Sequence, residues 1–335
     1  MLLLGSVLAA WAPSFGAFAT GHIIQGLATV LLLITTAPAL ILGWPTRRLR
    51  YSAVVMNLGI FGAVALGPVI GGAFVDGWRE LFWIVAAISG VAVALSLLTF
   101  TDKEPGDRDT PVDLFALGGS AAGCALAFFG ASQLLNNSFL DPIVIVPIVV
   151  GVAMIVVVIV HQAQISDPLM PLREAGQTLA VARILVAMVA GAVSIGAVEL
   201  VRIAIGSGLL GLGVDAAVAP ALFMAGFSMK SDRLPRIFAM IELLRGVAAF
   251  LVAPFLIHVA ESAATTRAGV ETGLWISLGI TVAGIVALAA LWFGSGSKLR
   301  TPDPEPWLNG DQPAVPPEPL FARPGVNWSK AGAGA

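Results

Sequence analysis

"NLGIFGAVALGPVIGGAF", residues 57–74, is an apolar run that carries five glycines and one proline. Both residue types are poor helix formers in water. In lipid the balance differs. Helices there gain nothing by hiding apolar side chains from one another, so they associate by close packing, and small residues let two backbones approach. Gly59, Ala63, Gly67 and Gly71 fall on one helical stripe. Pro68 removes one backbone hydrogen bond and is expected to bend the helix. The run therefore reads as a smooth, bent transmembrane helix face.

The rest of the chain agrees. It has 335 residues, 58% hydrophobic and 11% charged, with a mean hydropathy of +0.93. Globular chains are about 25% charged. This much apolar surface implies an integral membrane protein. The net charge of −2 gives no reason to expect nucleic acid as a partner. The lone Cys124 has no internal disulfide partner and sits in an apolar run. The N-terminal "MLLLGSVLAAWAPSFGAF" lacks the positive region that opens a signal peptide. It reads as a membrane helix.

A spanning helix needs about 20 apolar residues. Ten candidates follow: 2–19, 20–43, 52–75, 80–100, 113–135, 142–164, 182–202, 204–228, 236–259 and 272–293. Strand-like alternation is missing, so the fold class is all-α, a polytopic transmembrane helix bundle. Lys and Arg collect in alternate loops. One set holds Arg47, Arg48, Arg50, Lys103, Arg108, Arg173, Arg183, Lys230, Arg233, Arg236, Lys298 and Arg300; the opposite set holds Arg79, Arg202 and Arg267. The positive-inside rule places the first set, and both chain ends, in the cytoplasm of a cell-membrane protein. Trp44, Trp78, Trp275 and Trp292 near helix ends read as an interface belt.

Two polar loops, "TDKEPGDRDTPVD" (101–113) and "HQAQISDPLMPLREAGQT" (161–178), divide the helices into groups of four, two and four. The expected organisation is 1–100, a first helix group; 101–178, loops and a central helix pair; 179–295, a last helix group; and 296–335, a tail. From Thr301 the tail holds eight prolines and few aliphatics, and it is expected to be disordered. Residues 182–229 leave little room for a polar loop, so the turn near Glu199–Arg202 is cramped.

Ionisable groups inside the bilayer cost on the order of 3 kcal/mol and are functional candidates. Arg245 lies nine residues from Arg236, about 14 Å deep at the helical rise. Glu242 is one turn away on the same face. The pair either faces a central cavity, with Glu242 as partner or proton site, or is a structural intrahelical ion pair. Asp215, in "GLGVDAAVAP", is either a cavity acid or a group near the outer mouth. Asn57 and Gln25 either line a path or bridge helices. Glu199 and Arg202 read as a solvated pair, and His22 as an interface histidine or a proton relay.

The opening stretch also carries a resemblance. Gly67-Pro68-Val69-Ile70-Gly71-Gly72, with Gly59 and Ala63 upstream, resembles the antiporter motif in the fifth helix of the major facilitator superfamily. "DGWRELFWI" (76–84) is similar to the signature that opens that family's sixth helix. "GHIIQGLAT" (21–29) resembles a fourth-helix motif, with His22 where the family has arginine. "GLGVDAAVAPALFMAGF" (211–227) and "IELLRGVAAFLVAPFLIHVA" (241–260) resemble late helices of the fourteen-helix drug/proton antiporter branch.

The resemblance implies a secondary transporter that exports small amphipathic compounds against protons. It also implies that the family's first two helices, their G-x-x-x-D-R-x-G-R/K loop motif and a second-half helix pair are missing from this sequence. The alternative is a shortened chain that inserts without transporting. The partners expected are a small-molecule substrate, protons and the lipid bilayer. No cofactor or metal is expected. An enzyme is not expected either: His22, His161 and His258 are scattered, with no H-x-x-x-H, and no G-x-x-x-x-G-K-[ST] is present.

Overall fold

The computed structural model describes residues 1–74, 76–99, 112–165, 168–176, 178–200, 221, 223–295, 302–310 and 312–315. Every regular element among them is helical: α1 (Leu2–Ala10), α2 (Phe15–Leu42), α3 (Leu49–Ala73), α4 (Trp78–Thr99), α5 (Leu114–Ser132), α6 (Pro142–Gln164), α7 (Leu172–Ala175), α8 (Thr178–Leu200), α9 (Leu234–Glu261), α10 (Thr266–Ser295) and α11 (Pro304–Leu308). Among the described residues, six stretches are long and apolar enough to cross a membrane: 15–42, 78–99, 114–135, 142–164, 231–261 and 266–295. The protein is an all-α, multi-pass membrane protein.

Its exterior carries the apolar residues that a soluble protein would bury. Leu97, Leu98, Leu140 and Phe293 are each more than 80% exposed. Lipid solvates them, and it asks only that backbone groups be satisfied inside each helix.

The first helix differs from the expectation. Residues 2–19 do not form one helix: α1 ends at Ala10, and α2 starts after Ser14, whose hydroxyl accepts a hydrogen bond from the Ala17 amide at 3.3 Å. Pro13 and this N-cap turn the chain. Apolarity alone hid the break. Aspartates open the central pair. Asp113 accepts from the Ala116 amide at 2.9 Å, and Asp141 caps α6 ahead of Pro142.

Packing uses small residues, though not where the sequence put them. A Cβ placed on Gly21 of α2 would stand 2.7 Å from the Ala9 amide nitrogen, and one on Gly5 of α1 would stand 2.8 Å from the Gly21 carbonyl oxygen. α5 and α6 meet in the same way through Gly123, Ala127 and Gly151: a Cβ on Gly123 would lie 3.0 Å from the Gly151 carbonyl. These contacts are tighter than a side chain tolerates, and glycine makes the close approach possible. By contrast, a Cβ on Gly59, Gly67, Gly71 or Gly72 of α3 meets nothing within 4 Å among the described residues.

α9 is the hub. It packs against α8, α10, α5 and α2. One apolar cluster joins Ala37 and Ile41 of α2 to Met229, Leu234, Ile237, Phe238 and Ile241. Trp307 and Ala314 belong to it too. The tail was expected to be disordered, but residues 302–315, apart from position 311, are placed and in part buried. A single tryptophan supplies the apolar anchor that composition averaged away.

Candidate functional site

The site is built on α9. Glu242 and Arg245 are three residues apart and point along one helix face. The Arg245 Nε donates to both Glu242 carboxylate oxygens, at 3.2 and 3.1 Å, and Nη2 donates to Oε2. The geometry is forked and charge-assisted. Only 28% of the Arg245 side chain and 10% of that of Glu242 are exposed. The pair is therefore a largely desolvated, internally neutral unit in an apolar bundle.

α8 is shaped around it. A Cβ added to Gly191 would overlap Arg245 Cγ and come within 3.1 Å of its carbonyl oxygen. Gly191 thus lets α8 pass over the arginine. Breaking such a pair by removing one partner leaves an uncompensated charge and costs about 3–5 kcal/mol in buried sites. Chemically, the closed pair has no net charge.

Gln25 and His22, the other polar candidates among the described residues, do not join it. The Gln25 side-chain amide donates to Ser6 Oγ at 2.8 Å, and its oxygen meets His22 Nδ1 at 2.8 Å. Ser6 in turn donates to the Leu2 carbonyl. Gln25 thus bridges α1 and α2. His22 sits among aromatic rings, 4.8 Å from Phe18 and 5.3 Å from Phe82. The side chains of Asn57, Pro68 and Glu199, and residues Arg202 and Asp215, lie outside what the structure describes. Gly59, Ala63, Gly67 and Gly72 are exposed on α3, and Gly71 is half-buried.

Two polar features were missed by the sequence reading. The first is a clamp across the α5–α6 pair. Asp113 accepts from Gln162 Nε2 at 2.7 Å and lies 3.0 Å from His161 Nε2. The fully buried Gln162 also accepts from the Met170 amide at 3.2 Å. The Ala116 amide, above all, holds the Asp113 carboxyl below its usual range against the opposing effect of desolvation; His161 and Gln162 add to the lowering. The cap was visible as an aspartate before an apolar run. Gln162 looked like an ordinary loop residue. The second feature is Trp307 and its carbonyl partners.

No family model matches the chain. Among curated proteins, part of the chain is similar to an uncharacterized MFS-type transporter, YubD, of Bacillus subtilis, 31% identical over 146 residues. That match covers 42% of this chain and 27% of the relative. The lincomycin resistance protein LmrB of Bacillus subtilis is 28% identical over 181 residues, 51% of this chain and 36% of LmrB. The major facilitator superfamily multidrug transporter mfsC of Aspergillus fumigatus is 26% identical over 176 residues, 50% of this chain and 33% of the relative. The matching stretch thus spans about a third of each relative's length.

Proposed function

We propose that this chain is a secondary transporter of the major facilitator kind, of the fourteen-helix drug/proton antiporter branch, and not an enzyme. The similarity to transporters, two of them named for drug or antibiotic handling, is the observation that carries this reading. Six apolar spans support it. The activity proposed is proton-driven efflux of small amphipathic compounds across the cell membrane. The Lys/Arg-rich loops and both chain ends face the cytoplasm in this reading.

Glu242 and Arg245 are assigned the coupling role. In the deprotonated state the two groups neutralise each other. A proton on Glu242 opens the pair, and the freed Arg245 offers its donors to substrate or to a neighbouring helix. Asp215 and Asn57 are assigned to the transport path, and Gln25 supports the α1–α2 wall beside it. The open glycine face of α3, with Gly59, Ala63, Gly67, Pro68, Gly71 and Gly72, is the surface on which another helix slides or docks during the cycle.

The second reading is a shortened chain that inserts without transporting. The two readings part on one experiment, efflux of a fluorescent amphipathic dye from cells in which membrane insertion has been verified. Arg245→Ala should abolish efflux with insertion retained. Unchanged efflux would remove the pair from the mechanism.

A further inference from the structure

The tail segment 302–315 is held to the bundle by a small set of strong contacts. α11 is capped by Asp303, whose carboxylate accepts from the Glu305 amide, and its Trp307 is 1% exposed. The indole Nε1 donates to the carbonyl of Met229 at 2.8 Å and to that of Gly226 at 3.3 Å. Gly226 lies in the last turn of the helical residues 223–227, and Met229 follows two residues beyond them. Trp307 also meets Phe227 edge-on, with ring centres 4.8 Å apart. The Val315 amide donates to the Phe227 carbonyl at 3.2 Å, and the Asp303 amide to that of Ala314 at 2.9 Å, which closes the segment on itself. The turn between them uses Gly310 at φ 82°.

These contacts fall on the last helix group. α11 also touches residues 46–48, between α2 and α3 of the first group. Trp307 and Ala314 share one apolar cluster with Ala37 and Ile41 of α2 as well as with Met229, Leu234 and Phe238. The segment therefore lies across the seam where α2 meets α9. Arg47, Arg48, Lys230 and Arg233 mark this end of the bundle.

We infer that residues 302–315 are a latch, anchored by Trp307, that ties the first and last helix groups together at this end and keeps the α2–α9 seam closed. Rocking of one helix group against the other would require the segment to give up one of its two attachments, the carbonyls on the last group or the contacts with residues 46–48 and α2 on the first. This inference rests on the transporter reading only in treating seam opening as a functional step.

The test uses cysteine alkylation of the 335-residue chain in membranes, in a Cys124→Ser background. One reporter, Met229→Cys, sits under the latch on the last group. The other, Ala37→Cys, sits in the seam on the first group; both native residues are 1% exposed. Trp307→Ala should raise the alkylation rate at both reporters by on the order of tenfold, the effect of losing about 1.4 kcal/mol of closure. Trp307→Phe, which keeps a ring and loses the N–H donor, should give a smaller rise at both and serves if the alanine variant fails to insert. Unchanged rates would overturn the inference. So would a rise at Met229→Cys alone, because the tail would then cover only its own patch. The readout is independent of transport. A chain with the predicted labelling but no dye efflux keeps the latch and loses the transporter reading, and the opposite pattern does the reverse.

Discussion

Glu242→Ala should be among the most damaging substitutions in the molecule, and the double variant Glu242→Leu/Arg245→Met should rescue its stability. The carboxylate receives three hydrogen bonds from Arg245 and is only 10% exposed. Its removal leaves a guanidinium, 28% exposed, against α8 in an apolar bundle. An arginine near a helix centre costs about 3 kcal/mol on insertion scales. A broken buried pair costs about 3–5 kcal/mol. The partial exposure of Arg245 argues for the lower end, so each single variant should lose roughly 3 kcal/mol. Replacement of both partners by apolar residues of similar size removes the uncompensated charge and should bring stability within about 1 kcal/mol of the parent. The assay is SDS titration of the purified protein in maltoside micelles, followed by tryptophan fluorescence, as a double-mutant cycle. Single variants within about 0.5 kcal/mol of the parent, or a double variant as poor as the sum of the singles, would refute the pairing argument. Transport should not follow stability: the double variant is expected to fold and to export nothing.

Other substitutions separate packing from function. Gly151→Val places atoms against the Ala127 backbone of α5, and it should cost about 1–3 kcal/mol in the same SDS titration. Gly67→Val adds a side chain where no described residue stands within 4 Å, so it should leave stability unchanged while dye efflux falls. Gln25→Ala removes the link from α2 to Ser6 and should cost about 1 kcal/mol, with little effect on efflux once the protein is inserted. Asp113 has a folded-state pKa lowered from 3.8. Its contribution is therefore fully present above that value and is lost as pH falls through the folded one. The stability gap between the parent and Asp113→Asn should accordingly be constant near neutral pH and close below about pH 4, as read by thermal melting across a pH series.

Much of the fold was legible because lipid makes simple demands. Apolar length marks a span, as at 78–99 and 142–164. The Glu242–Arg245 pair was legible for the same reason: two opposite charges one turn apart inside an apolar run must meet. What failed was partner choice. A glycine ladder says that a face is smooth, not which helix covers it. The α3 ladder is open among the described residues, while the less conspicuous Gly5, Gly21, Gly123 and Gly151 make the closest contacts. Composition likewise hid the break at Pro13 and the anchor at Trp307. Each depends on one residue whose effect is local or long-range, and window averages erase both.

Proton-driven export is tested most directly by dye efflux from energised cells that hold the 335-residue chain, with insertion verified and an uncoupler added midway. Export should stop when the proton gradient collapses and be absent in Arg245→Ala. A correctly inserted chain that exports no compound from a broad amphipathic panel would contradict it.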